Sequence, residues 1–170
     1  MFGISSDNDD SQSGLIPRSC AYLFNRLEEK QDITEIQIHC SFLEIYNETL
    51  RDLLDPASQE ELRLREKNGL VFVSGLTEIY VTSSQEVMDL IRKGGRNRQV
   101  KKTEMNDESS RSHSVFTLVI QQKARDSSLI LSKLHFADLA GSERVSKSMS
   151  LWLLLLLLLF IVVYYYCCCC

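Results

Sequence analysis

At 170 residues the chain suits a single domain, and its formal net charge of −4 excludes a general nucleic-acid binder, which would need a basic stripe. The 44% hydrophobic content misleads, because every residue from Leu151 to Cys170 is apolar and the body before them is an ordinary, rather polar sequence. Four of the six cysteines stand at Cys167 to Cys170; Cys20 and Cys40 show neither metal-ligand spacing nor a disulfide framework and read as reduced core residues of a cytosolic protein.

Met1 is followed by a polar, acidic segment rather than a signal peptide, and Ser5 to Gly14 reads as a loop. Pro17 suits the first turn of a helix reaching about Lys30, with Ile16, Cys20, Phe24 and Leu27 on its buried face. Ile36, Ile38, Cys40 and Phe42 alternate with Gln37, His39 and Ser41, which predicts a strand with His39 on its polar side. The alternation slips at Leu43, where a bulge is expected. Glu44 to Glu48 reads as a strand end, and Leu50 to Pro56 as a short helix stopped by proline, with a structural role.

Short strands are predicted between Leu62 and Val81, broken at Asn68-Gly69 and Ser74-Gly75. Ser83 with Glu86 at capping-box distance starts a second helix, whose stripe is Val87, Leu90 and Ile91 and whose end is expected at Gly94-Gly95. Arg96, Arg98, Lys101 and Lys102 then form a basic run that reads as an approach to a triphosphate site or, by preference, as a solvated linker. Ser114 to Lys123 is apolar on both faces, as in a strand covered on two sides. A polar connection over Arg125 to Ser128 leads to an apolar run, Leu134 to Ala137, that ends in Asp138.

Two polar signatures flank these last strands: Asn106-Asp107-Glu108-Ser109-Ser110-Arg111-Ser112-His113, and Asp138-Leu139-Ala140-Gly141-Ser142-Glu143. A strand that ends in Asp and soon reaches Gly can present a carboxylate toward Mg²⁺ and a backbone N–H toward a terminal phosphate. Taken singly, a serine-rich turn and an ordinary strand exit account for these residues. In this order, with two strands between them, they resemble switch I and switch II of the kinesin motor domain. The resemblance covers about Met1 to Ser148.

That resemblance implies an α/β fold of the P-loop NTPase class, a kinesin-like motor fold truncated at both ends, with residues 149–170 as a separate low-complexity apolar tail. It implies ATP and Mg²⁺ as cofactors, with Ser110 coordinating the ion and Asp138 ordering water on it. By the same resemblance Ser109 positions the attacking water or the γ-phosphate, Gly141 donates its backbone N–H to that phosphate, and Arg111 pairs with Glu143 when the switches close. Packing and hydrogen bonding at the strand start account for His113. Microtubules are the implied partner, in the cytoplasm and on the cytoskeleton, and Arg63, Arg65 and Lys67 are candidate contacts to the acidic tubulin surface. Solvation on a hairpin is the preferred reading of those three.

No G-x-x-x-x-G-K-[ST] occurs in the sequence, so the loop that cradles phosphates in this family is not found here. The chain is therefore expected not to hydrolyse ATP alone. Its strand over Leu134 to Ala137 is expected to become an exposed edge, with poor solubility when residues 1–150 are expressed alone. The apolar tail has two readings. About 20 residues span about 30 Å as a helix, enough for a membrane anchor over about 151–166, with acylation of the cysteines. Homopolymer blocks of Leu, Tyr and Cys also read as translated non-coding sequence, and that reading is preferred. The alternatives to a motor fragment are a non-catalytic, membrane-anchored binding or regulatory fragment, and an incomplete gene model.

Overall fold

The alternating run that starts at Ile36 grows into a 14-residue strand, β1 (Ile33–Tyr46), on which the rest of the structure is assembled. This computed structural model describes residues 14–30, 33–67, 69–100 and 112–140. The elements are α1 (Leu15–Glu28), β1, β2 (Thr49–Asp52), β3 (Arg63–Lys67), β4 (Leu70–Ser74), β5 (Ile79–Val81), α2 (Ser84–Val100), β6 (His113–Ala124) and β7 (Leu129–Asp138). The main sheet runs β2-β1-β6-β7, β5 pairs with the other stretch of β1, and β3 with β4 forms a separate hairpin.

No bulge forms at Leu43. The β1–β6 ladder shifts register only between Ile33 and Glu35, and Leu43 pairs regularly with Val115 and Asp52. The alternation slips there because β1 passes from one covered face to two. Ile38, Cys40 and Phe42 enter the main core with Leu118, Ile120 and Phe116, whereas Leu43 and Ile45 pack on the opposite face with Leu62, Val73 and Leu76. A strand covered on both sides loses the polar residues that mark its period.

The short helix expected over Leu50 to Pro56 is also absent. Asn47 (φ 46°) and Glu48 (φ 60°) both take the left-handed conformation that a tight hairpin needs, and the chain returns as β2. The structural role expected of this stretch is met by Asp52. Its carboxylate accepts from the N–H groups of Leu54 (2.8 Å), Asp55 (3.1 Å) and Thr77 (2.7 Å), tying the bend after β2 to the approach to β5.

Both helices lie on the Phe42 face. α1 delivers Ile16, Cys20 and Leu27 to the core, and α2 delivers Val87 and Ile91. At the start of α2 the Ser83 hydroxyl accepts from the Glu86 N–H (3.2 Å), while the Glu86 carboxylate accepts from the Thr82 N–H (2.7 Å). Gly94-Gly95 does not end this helix, which runs on to Val100. Gly94 serves close packing instead: a Cβ there would stand 2.2 Å from Cδ1 of Phe42. Phe42 in turn meets Phe116 edge-on, centroids 5.4 Å apart, a geometry that adds about 1 kcal/mol beyond area burial.

β7 begins at Leu129, earlier than the sequence suggests, and among the described residues it pairs only with β6. Its edge position matches expectation, but its side chains divide. Phe136 is buried and Leu134 packs on the core, whereas Leu129, Ile130 and Leu131 are 72%, 43% and 51% exposed. The candidate anchor over 151–166 lies outside the described residues. Among the described residues no helix is long and apolar enough to cross a membrane.

Candidate functional site

Strand register sets two adjacent rows across the sheet. Phe42, Phe116 and Phe136 stand opposite one another, and two residues further along each strand is a polar row, Glu44, Ser114 and Asp138. The aromatic row anchors α2 at Gly94. Arg98, one helical turn later on the same face, therefore comes down over the polar row.

Arg98 there makes a clamp. Its Nη1 donates to Asp138 Oδ2 (3.0 Å) and to Ser114 Oγ (3.2 Å), and its Nη2 donates to the Ser112 carbonyl (3.0 Å) and to Ser112 Oγ (3.1 Å). Nε lies 3.4 Å from Glu44 Oε1 as an ion pair without a hydrogen bond. The side chains of Arg98 and Glu44 are 15% and 7% exposed, so this cation and carboxylate have left most of their water. Arg51 adds a second positive charge 3.7 Å from Glu44 and stacks over Tyr46, 5.0 Å from its centroid. The planar fork of arginine suits this arrangement, since one guanidinium reaches three strands and the segment before β6 together. Beside it, Asn97 Nδ2 donates to the Leu53 carbonyl (2.7 Å), which fixes the helix against the bend after β2.

On the other side of the junction, the Ala140 N–H donates to His113 Nδ1 (3.0 Å). Burial and the nearby Arg98 hold the His113 pKa below the usual histidine value, against the opposing pull of Asp138. A neutral ring can keep an unprotonated nitrogen as acceptor. A second histidine, His135, meets Thr117 Oγ1 through its Nδ1 (2.9 Å), and burial together with Lys133 lowers its pKa.

Of the residues singled out in the two signatures, Asp138 is placed at the end of β7, its side chain 47% exposed. Ser109, Ser110, Arg111, Gly141 and Glu143 lie outside the described residues, as do Lys101 and Lys102. The near ends of the two signatures do meet: Ser112 and Asp138 through Arg98, and His113 and Ala140 directly. The Asp138 carboxylate is half-exposed and so keeps an open side, while the buried Ser112 and Ser114 hydroxyls beside it are occupied by the Arg98 guanidinium. Among the described residues no group of three His, Cys, Asp or Glu side chains gathers as a self-sufficient metal site.

Arg98 is the residue that sequence reasoning missed. Read as part of a solvated linker, it is instead the hub of the cluster, because α2 continues past its glycines. A signal was present in Glu44, a charged residue inside the otherwise buried stretch Cys40 to Ile45, which calls for a cation. Arg63, Arg65 and Lys67 share the outer face of β3, and all three are exposed. Arg63 pairs with Glu61, which lowers the pKa of that carboxyl. Phe72, 42% exposed, stands opposite Arg65 on the same hairpin. Cys20 and Cys40 are buried free thiols, pushed up to about 11 and about 12 by desolvation, and are core residues as expected.

The kinesin motor domain family model matches residues 1–151. The chain is 48% identical over 139 residues to kinesin-related protein 5 of Dictyostelium discoideum, and 43% identical over 149 residues to the kinesin heavy chain of Botryotinia fuckeliana. These matches cover 81% and 87% of this chain but 14% and 17% of the relatives. A solved structure of a fast kinesin, described with implications for ATPase mechanism and interactions with microtubules, aligns with a TM-score of 0.75 and 43% identity. It covers 87% of this chain and 42% of its own length, so the α/β architecture here corresponds to part of that larger fold.

Proposed function

This chain belongs to the kinesin motor domain family, and on that premise we propose that it forms the switch-bearing part of an ATP-driven, microtubule-based motor. The observation that carries this reading is the Arg98 clamp, which joins the end of the first signature to the first residue of the second through Ser112 and Asp138. Phosphoryl transfer depends mainly on positioning and charge neutralisation, and a rigid link between two phosphate-sensing segments supplies positioning.

In this reading Ser110, and Asp138 through water, hold Mg²⁺, whose charge would neutralise the phosphates of ATP. Ser109 orients the attacking water or the γ-phosphate, Gly141 offers its N–H to that phosphate, and Arg111 with Glu143 closes the pair of switches. Arg98 competes for Asp138: a carboxylate shared between a guanidinium and metal-bound water can pass between two arrangements. Loss of the γ-phosphate removes the contact holding Gly141, and the segment relaxes. The exposed face of β3, with Arg63, Arg65, Lys67 and the neighbouring Phe72, is the surface proposed to meet tubulin. The sequence holds no G-x-x-x-x-G-K-[ST], so hydrolysis is proposed to require a phosphate loop supplied from outside these 170 residues.

The test is to replace the matched segment of the Botryotinia fuckeliana kinesin heavy chain with this one and to measure microtubule-stimulated ATPase. Activity within about tenfold of the parent is expected, and Asp138→Asn should lower kcat by about 100-fold or more, the size of losses seen when one preorganised electrostatic contact of a reacting site is removed. An inactive chimaera that folds normally would overturn the reading.

A further inference from the structure

We propose that His113 is a positioning residue, a strut that accepts the Ala140 N–H on Nδ1 and so sets the backbone immediately before Gly141. The proposal rests on the switch reading of Gly141, but the contact itself stands on geometry. The β6–β7 ladder ends at the pair Ser114 and Asp138, and beyond it the chain has no strand partner among the described residues. Ala140 follows two residues later, half-buried, where an N–H without an acceptor would be costly. His113 Nδ1 meets that need at 3.0 Å.

The grip is two-sided. Ser114 and Asp138 lie in the row beneath α2, where Arg98 holds the carboxylate. His113, one residue earlier on β6, stands opposite Ile45 and points to the other face of the sheet. Arg98 thus fixes the side chain of Asp138 from one face while His113 fixes the backbone of Ala140 from the other. A guanidinium cannot do the second task, since it has no acceptor atom, and a phenyl ring offers none either. Imidazole with its proton on Nε2 presents an acceptor close to the backbone. It links the last residue of the first signature, at the start of β6, directly to Ala140 of the second, so a displacement of either segment is passed to the other.

The experiment uses the full 170-residue chain and nuclear magnetic resonance. Hydrogen exchange is followed at the amides of Ala140, Phe116 and Leu118 in the wild type, His113→Phe and His113→Asn, and the tautomer of His113 is read from its ¹⁵N shifts. The expected results are an Nε2–H tautomer, and Ala140 protection that falls about fivefold or more in His113→Phe, the size of one lost hydrogen bond, while Phe116 and Leu118 are unchanged. His113→Asn, whose Oδ1 can replace Nδ1 as acceptor, should restore most of the protection. An Nδ1–H tautomer in the wild type overturns the proposal without any variant. Equal Ala140 protection in all three chains, or a loss spread evenly through β6, overturns it as well. None of these readouts involves nucleotide, so a failed strut and a failed motor reading give different results.

Discussion

Arg98 and Arg63 are both arginines paired with a glutamate, and they sit in opposite surroundings. The Arg98 and Glu44 side chains are 15% and 7% exposed, and the same guanidinium also holds Asp138, Ser112 and Ser114. The Arg63 and Glu61 side chains are 57% and 72% exposed, on a hairpin whose outer face is otherwise solvated. A buried pair is dangerous to break because the remaining charge is left without water, whereas an exposed pair surrenders its partner to solvent at little cost. One region is therefore built so that its parts hold together, and the other so that its charges stay available to an incoming surface.

The contrast is tested most severely by Arg98→Ala. Among the described residues it leaves the buried Glu44 with the more distant Arg51 as its cation, and should destabilise the chain by about 3–5 kcal/mol in urea unfolding. A loss no larger than that of an exposed pair would break the comparison. Gly94→Ala comes next, at about 1–3 kcal/mol, because the new methyl must push Phe42 or lift α2 from the sheet. The same change should weaken the Arg98 clamp, so a double-mutant cycle with Arg98→Ala should show coupling rather than additivity.

A smaller effect is expected from pH. The His135 pKa is lowered in the folded chain, so the unfolded chain binds the proton first as pH falls. The stabilisation from keeping this ring neutral is complete above about pH 6.5 and is lost as pH falls through the lowered folded value. Thermal melts between pH 7.5 and 5 should record that loss, and His135→Gln should flatten the profile. Smallest of all is Arg63→Ala, which should leave the melting midpoint unchanged within measurement error. In the chimaera, Arg63, Arg65 and Lys67 changed together to Ala should reduce microtubule pelleting and its salt dependence without lowering the melt. An equal fall in pelleting and stability would remove the distinction between the two regions.

Much of the fold was legible because it rests on local periodicity. The stripe of Ile16, Cys20 and Leu27, the alternation in β1, and the capping of α2 by Ser83 and Glu86 all formed as read. The failures share a cause: each residue was judged by its neighbours in sequence when a distant contact decided its role. Gly94 looks like a helix stop unless Phe42 is known to lie against it. Leu43 looks like a bulge unless the β3–β4 hairpin is known to cover the second face of β1. Leu50 to Pro56 looks helical until the left-handed Asn47 and Glu48 turn the chain back as a strand. Asp138 was readable as the last residue of its strand. Arg98 was not, since its value depends on α2 passing the two glycines and on Glu44, far away in sequence, being buried beneath it.

The order in which β1 finds its neighbours has a consequence for synthesis. One edge of β1 is met by β2 and β5, which follow closely, but the other pairs with β6, whose residues 113–124 emerge much later than residues 33–45. At about 5–20 residues per second, a translating ribosome leaves that second edge bare for several seconds. During that interval Ile36, Ile38, Cys40 and Phe42 form an apolar strand with open hydrogen bonds, the kind of segment that holding chaperones and neighbouring nascent chains recognise. Codon choice between residues 46 and 113, by changing the length of that wait, should alter the yield of folded chain without changing a single amino acid.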